Sequence, residues 1–229
     1  MPRILIIGNS GAARECYWVL RDVMESAPGL AHYYSFGGFL DWKGYAGDLK
    51  DLRDFYLGTA DDYAPGPDDL FILGVGKPEL RKEIFTAFKA RGASFMNLIH
   101  PWSSIAPSAV IGEGNIVQRG CTVYCNASIG NGNYLNGAVN LSHDASIGDF
   151  NFLAPYSIVL GGAGIGSCNH LGPHSVLLEH ARMGNGNLLA PGSVIYKGCR
   201  DNCRMAGNPA LKIAAHAASD VDSDQMPDK

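Results

Sequence analysis

The sequence lacks a basic excess. Its 18 Lys and Arg face 22 Asp and Glu, a formal net charge of −4, whereas a nucleic-acid binder usually shows a basic face. No nucleic-acid partner is expected. Phosphorylated small ligands stay open, because backbone N–H groups bind them. No apolar run of 18 residues occurs, and the apolar stretch in the opening MPRILIIGNSG is too short for a signal peptide or a membrane span. The expectation is a cytoplasmic chain with no membrane partner. Six cysteines (Cys16, Cys121, Cys125, Cys168, Cys199 and Cys203) include no CxxC. They read as reduced, small, mostly buried residues, with no metal expected. Charge itself is sparse, at 17% of residues against 46% hydrophobic, which describes a globular chain rather than a disordered one.

What is present divides in two. Residues 1–100 read as an α/β lobe. RILII is a short buried strand, GNSG a glycine-rich turn, and AARECYWVLRDVM has helical periodicity. HYYSFGGFL and LFILGVG are strand-like, KPELRKEIFTAFKARG is an amphipathic helix with Pro in its first turn and Gly past its end, and SFMNLI is a last strand. Alternating strands and helices imply a small parallel, Rossmann-like sheet.

From Ile105 onward, Ile, Leu, Val or Met recurs every six residues through Ile195, at sixteen of sixteen positions. This period is the signature of a hexapeptide-repeat β-helix, in which each side sends one aliphatic inward. A second period of 18 sets the coil. Gly recurs at 112, 130, 148, 166 and 184, Asn at 115, 133, 151, 169 and 187, and Ala at 109, 127, 145, 163 and 181. The coil is therefore three-sided, with Asn expected at one corner per coil to satisfy turn backbone groups and tolerate left-handed backbone, and Gly to do the same without steric cost. About five coils, each roughly 4.8 Å, give a prism of order 24 Å over residues 101–213. Residues 214–229 read as a polar, disordered tail.

NLSHDASIGDFNFLAP interrupts the repeat with His143 and Asp144. Stacking by 18 puts Cys125 below His143 and Gly161, Glu179 and Lys197 above it. Asp144 lies between Asn126 and Gly162, with His180 beyond. A titratable pair beneath two glycines reads as a base beside a recess, with Asp144 orienting the imidazole. Neighbours on a strand point to opposite faces, so contact within the pair requires a corner of the coil. The Gly161 amide is placed to donate to a developing oxyanion. GNSG reads as a phosphate cradle rather than an NAD site, since it lacks the full GxGxxG. Lys77 reads equally as a phosphate contact or a solvated helix start. His170 and His174 form an HxxxH without a convincing third ligand, and His32, His100, His180 and His216 read as surface or packing residues.

IIGNSG, GFLD, LGVGKPELRKEI, NLIHP, the hexads, SHDASIGDF and the closing AGNPALKI together resemble one group. It is the left-handed β-helix acyltransferases of the sialic-acid O-acetyltransferase type, which include bacterial nucleotide-amino-sugar N-acetyltransferases. The resemblance spans residues 3–213. It implies a left-handed helix, a homotrimer with sites between neighbouring prisms, and acetyl-CoA as acyl donor. It matches His143 to the general base and Asp144 to its acidic neighbour. It places Ser10, Gly11, Ala12, Asp41, Trp42 and Gly76 where the family holds a nucleotide-sugar, and Phe152, Gly161, Pro173 and Pro191 along the coenzyme groove. The chain departs from the family pattern at Ala12, Trp42, Lys77 and Phe152. The activity implied is direct acetyl transfer to the amine of a nucleotide-linked amino-sugar. The alternatives are sugar O-acetylation and a non-catalytic trimeric scaffold that binds a nucleotide.

Overall fold

The computed structural model describes residues 1–27, 29, 32–44 and 47–215. Five parallel strands, β1 (Arg3–Ile7), β2 (Ser35–Asp41), β3 (Tyr56–Thr59), β4 (Asp69–Leu73) and β5 (Ser94–Phe95), form one sheet in the order β3-β2-β1-β4-β5. Alternation along β1 explains why both faces are covered. Ile4 and Ile6 pack with Ala13, Cys16 and Leu20 of α1 (Gly11–Ser26), while Leu5 and Ile7 pack with Ile84 and Phe88 of α2 (Pro78–Ala90). Strand order turns back between β1 and β4, and open α/β sheets bind ligands at such a switch. Gly8 follows β1 there at φ 139°, and a Cβ would lie 2.3 Å from the Gly74 carbonyl oxygen, so the turn admits only glycine.

The segment SFMNLI is not one strand. Ser94–Phe95 closes the lobe sheet, and Leu98–Ile99 already belongs to the prism, where Leu98 N–H donates to Asn115 O at 2.8 Å. The chain crosses between the two bodies inside six residues that sequence pattern alone reads as continuous. The short edge strand β3, four residues with Gly58 inside it, gave no such pattern.

The prism has three faces. The first carries six parallel strands from Ser104–Ile105 to Val194–Ile195, and the second six from Val110–Ile111 to Gly198–Cys199. The third has eight, starting at Leu98–Ile99 and ending in Cys203–Gly207 and its antiparallel partner Ala210–Ala215. Pairing follows the 18-residue step, as in Asn140 with Ile158. The prism is thus longer than five coils, because the hexad series extends back to Ile99. At the last coil the step shrinks to 16, pairing Arg182 with Gly198 and Leu188 with Arg204, which shifts Lys197 off the His143 column. Fourteen of the sixteen hexad aliphatics are buried in one core, and Ile105 and Ile111 pack against it. The strand through Ala215 runs past residue 213; His216 and the rest of the expected tail lie outside the described residues.

The asparagines form a buried ladder. Each side-chain oxygen from Asn115 to Asn169 accepts the backbone N–H of the next asparagine at 2.8–2.9 Å and its side-chain amide at 2.9–3.1 Å. Asn97 begins the ladder and Cys203 N–H ends it on Asn187. Neither the asparagine nor the glycine series is left-handed. The glycines are needed for a different reason: a Cβ at Gly130 would lie 2.7 Å from Gly148 O of the coil above, so close stacking excludes a side chain. Left-handed backbone falls at three other columns, among them Asn126, Asp144, Gly162 and His180 (φ 57–64°) and Gly120, Ala138, Tyr156, His174 and Gly192 (φ 57–74°). These columns are the prism corners.

Lobe and prism are joined by Arg81, which is fully buried. Its guanidinium donates to Leu73 O and Val75 O in the lobe at 2.7–2.8 Å, and to Gly132 O, Asn133 O and Gly114 O of the coils at 2.6–3.4 Å. The Tyr134 ring lies 5.4 Å from it. Desolvation pulls Arg81 down to about 10, so it stays charged at neutral pH.

Candidate active site

Asp144 sits at a corner in left-handed backbone, φ 59°. That turn resolves the strand-alternation problem and brings the neighbouring side chains together, with His143 Nδ1 to Asp144 Oδ2 at 2.9 Å. Asn126, one coil below, donates to Asp144 Oδ1 at 3.2 Å. These bonds, led by that from His143, hold the Asp144 carboxyl below its usual value. An ionised carboxylate only accepts, so Nδ1 carries the proton and Nε2 of neutral His143 is a free base. The ring lies over Gly161: a Cβ there would be 2.7 Å from His143 Cε1 and 2.8 Å from Nε2. The expected recess over this glycine is therefore where the imidazole lies. Among the described residues the Gly161 N–H has no hydrogen-bond acceptor. His143 also borders a groove of about 350 Å³ with Tyr124, Asn140, Ser142, Ile158 and Leu160 on the first face.

A second depression, about 500 Å³, lies in the lobe at the end of β2, lined by Asn9, Asp41, Gly44, Gly47, Asp48, Leu49, Arg53 and Tyr56. Asp41 Oδ2 accepts from the Tyr56 hydroxyl at 3.1 Å, and Oδ1 is buried with no hydrogen-bond partner. Ser10 and Gly11 are exposed at the N-terminus of α1, next to Asn9. Ala12 packs against the lobe core. Trp42 is 4% exposed, bonded through Nε1 to Glu83 at 3.3 Å and packed near Phe88. It is a core residue and does not line the depression. Its neighbour Asp41, the last residue of β2, does, while Trp42 just past the strand end turns in against α2.

Gly76 and Phe152 meet at the lobe–prism joint: a Cβ on Gly76 would lie 3.4 Å from the Phe152 ring. Phe152 stacks on His170 at 4.8 Å and leans on Tyr134 at 5.2 Å. It stands on the third face, apart from His143. Pro173 and Pro191 precede the corner residues His174 and Gly192, at the opposite edge of the first face from His143. His174 stacks on Tyr156 at 4.9 Å, so His170 and His174 address different neighbours. No group of three or more His, Cys, Asp or Glu among the described residues could hold a metal ion, and no helix among them is long and apolar enough to cross a membrane. Three cysteines are buried, but Cys125 is exposed below His143. Lys77 is exposed at the cap position of α2. Sequence reasoning missed Arg81, Tyr56 and Asn9. Asn9 was within the glycine turn already singled out; a lone helical arginine carries no signal of burial.

A pair of depressions on an α/β lobe and a three-sided parallel coil is the architecture of hexapeptide-repeat proteins with the left-handed β-helix fold. No protein-family model matches the chain. It is 29% identical over 120 residues to UDP-N-acetylbacillosamine N-acetyltransferase of Bacillus subtilis (strain 168), a match spanning 51% of each chain. The match thus spans about half the length of that curated relative. A mutant of perosamine N-acetyltransferase from Caulobacter crescentus, in complex with CoA and GDP-perosamine, superposes with TM-score 0.79 at 21% identity, over 93% of this chain and 98% of that one. The acetyltransferase domain of PglB from Neisseria gonorrhoeae FA1090 superposes with TM-score 0.80 at 22% identity, over 93% and 100%. The chain has their two-part fold, and it resembles the hexapeptide-repeat N-acetyltransferases.

Proposed function

We propose that the chain transfers an acetyl group from acetyl-CoA to the amine of a nucleotide-linked amino-sugar. The carrying observation is His143, held by Asp144 through Nδ1 at 2.9 Å and lying over Gly161, whose N–H has no acceptor among the described residues. His143 Nε2 takes a proton as the amine attacks the thioester carbon directly, and the Gly161 N–H donates to the carbonyl oxygen as charge develops there. Ser10, Gly11 and Asp41 border the acceptor's nucleotide. The similar structures support both ligands, since those proteins hold CoA with GDP-perosamine or acetyl coenzyme A.

The lobe depression and the His143 groove share no lining residue. The upper coils of the first face are apolar outside as well as inside, with Ile158, Leu160, Val176, Leu178 and Val194 half-buried and Tyr196 about half exposed. Both features support a homotrimer in which a neighbour covers this face and completes the site. Thiol release from acetyl-CoA across a panel of UDP- and GDP-linked amino-sugars and their hydroxyl counterparts tests the activity. Release with one or more of them, absent in His143→Ala, is the expected result. Release only with sugars lacking the amine would instead establish O-acetylation, and release with none would remove the assignment.

A further inference from the structure

The Gly161–Gly162 peptide has imidazoles on both sides. His143 lies over Gly161 from the coil below. From the coil above, His180 lies over Gly162: a Cβ there would sit 2.6 Å from His180 Nδ1 and 2.8 Å from its Cε1. The backbone fixes the spacing, because Gly162 N–H donates to His143 O and His180 N–H donates to Gly161 O, both at 3.0 Å. His180 and Gly162 occupy the same left-handed corner as Asp144. Arg182 runs down past Gly164, where a Cβ would lie 3.1 Å from its Cδ, and its Nη1 donates to Gly162 O. Charged residues near His180 are therefore Glu179, Arg182 and, two coils down the corner, Asp144. His180 is exposed and bonded to no carboxylate among the described residues.

We propose that His180 is the acid that protonates the departing thiolate of the acyl donor; this rests on the acetyl-transfer reading above. The reaction needs two proton transfers around one carbonyl carbon, one from the entering nitrogen and one to the departing sulfur. The amine nitrogen forms a bond to the thioester carbon and loses a proton to His143 Nε2. The carbon–sulfur bond then breaks, its electron pair goes to sulfur, and the thiolate takes a proton from the His180 imidazolium. Solvent afterwards takes the proton from His143 and returns one to His180. A thioester oxygen held at Gly161 N–H lies between the two rings, so the nucleophile enters on the His143 side and sulfur leaves on the His180 side. His143 is held by Asp144, which Asn126 holds in turn, and so does not swing across to serve both ends.

The test compares two acetyl donors, acetyl-CoA and S-(4-nitrophenyl) thioacetate, in full-length protein with an amino-sugar nucleotide that the wild type accepts. The aryl thiolate is far more acidic and departs without a proton. His180→Gln is expected to slow transfer from acetyl-CoA by about 10²-fold, leave acetyl-CoA affinity and melting temperature unchanged, and transfer from the aryl thioester at the wild-type rate. His143→Ala should slow both donors. A role for His180 in packing alone would slow both donors equally, and that result overturns the proposal, as does full activity of His180→Gln with acetyl-CoA. A wild type that transfers from neither donor overturns the acetyl-transfer reading and this proposal with it.

Discussion

His143 and Asp144 show how a single backbone conformation creates a site. On a straight strand the two side chains would diverge; at φ 59° they bond. His143→Ala is expected to cut turnover roughly 10²–10⁴-fold with little change in acetyl-CoA binding, measured by steady-state kinetics and calorimetry. The pH dependence has a definite sign. The folded Asp144 carboxyl is lowered, so its bond to His143 is intact above the ordinary carboxylate value, about 3.9, and is lost only as pH falls through the lowered folded value. A loss of rate as pH falls through the range in which imidazoles titrate belongs to protonation of the base and should vanish in His143→Ala. The pair and the glycines above it were legible from the repeat they interrupt. The contact within the pair was legible only as a condition, since sequence spacing does not fix which residue turns the corner. Trp42 was placed near a ligand by the resemblance alone, and the packing of α2 against it, through Glu83 and Phe88, sets its side chain in the lobe core.

At the scale of elements, two devices hold the scaffold. The asparagine ladder satisfies one backbone N–H per coil inside the prism, where water cannot. Asn151→Ala removes the acceptor of Asn169 N–H and of its side-chain amide. It should cost roughly 2–4 kcal/mol, read as a fall in the urea midpoint. The second device is Arg81. Because its folded pKa is lowered to about 10, burying the cation opposes folding at neutral pH, and the carbonyls around it offset that cost. Arg81→Met leaves five carbonyl oxygens without this donor and should lose at least about 3 kcal/mol, with the loss seen in the same urea titration. The hexad core was legible from Ile105 onward because the six-residue period points to stacked hexapeptide coils, while Ile99 was hidden in a segment read as the lobe's last strand. The glycine column was located correctly but explained wrongly: its cause is contact between coils, which no single coil reveals. Arg81 was invisible, as its partners are backbone atoms that any sequence would supply.

For the whole molecule, the homotrimer reading makes a demand that a single chain cannot meet. If a neighbour covers the first face, mixed trimers should regain activity when one subunit carries His143→Ala and the other is damaged at the opposite edge of that face, for instance Pro173→Asp. The regained activity should be a fraction of wild type, with trimers confirmed by sedimentation. Intact mixed trimers with no activity would place each site within one chain. The joint described earlier also has a geometric effect. The lobe grips the coils at Gly114, Gly132, Asn133 and Phe152, and His143 turns out of the prism between the last two of these. Each rung is a fixed increment, so the coil works as a ruler whose zero is set by the lobe. An extra 18 residues inserted beyond Met183 would lengthen the rod and leave the reading at His143 unchanged. The same insertion between Asn133 and His143 would move the base one full graduation away from the lobe, with every side chain still in register.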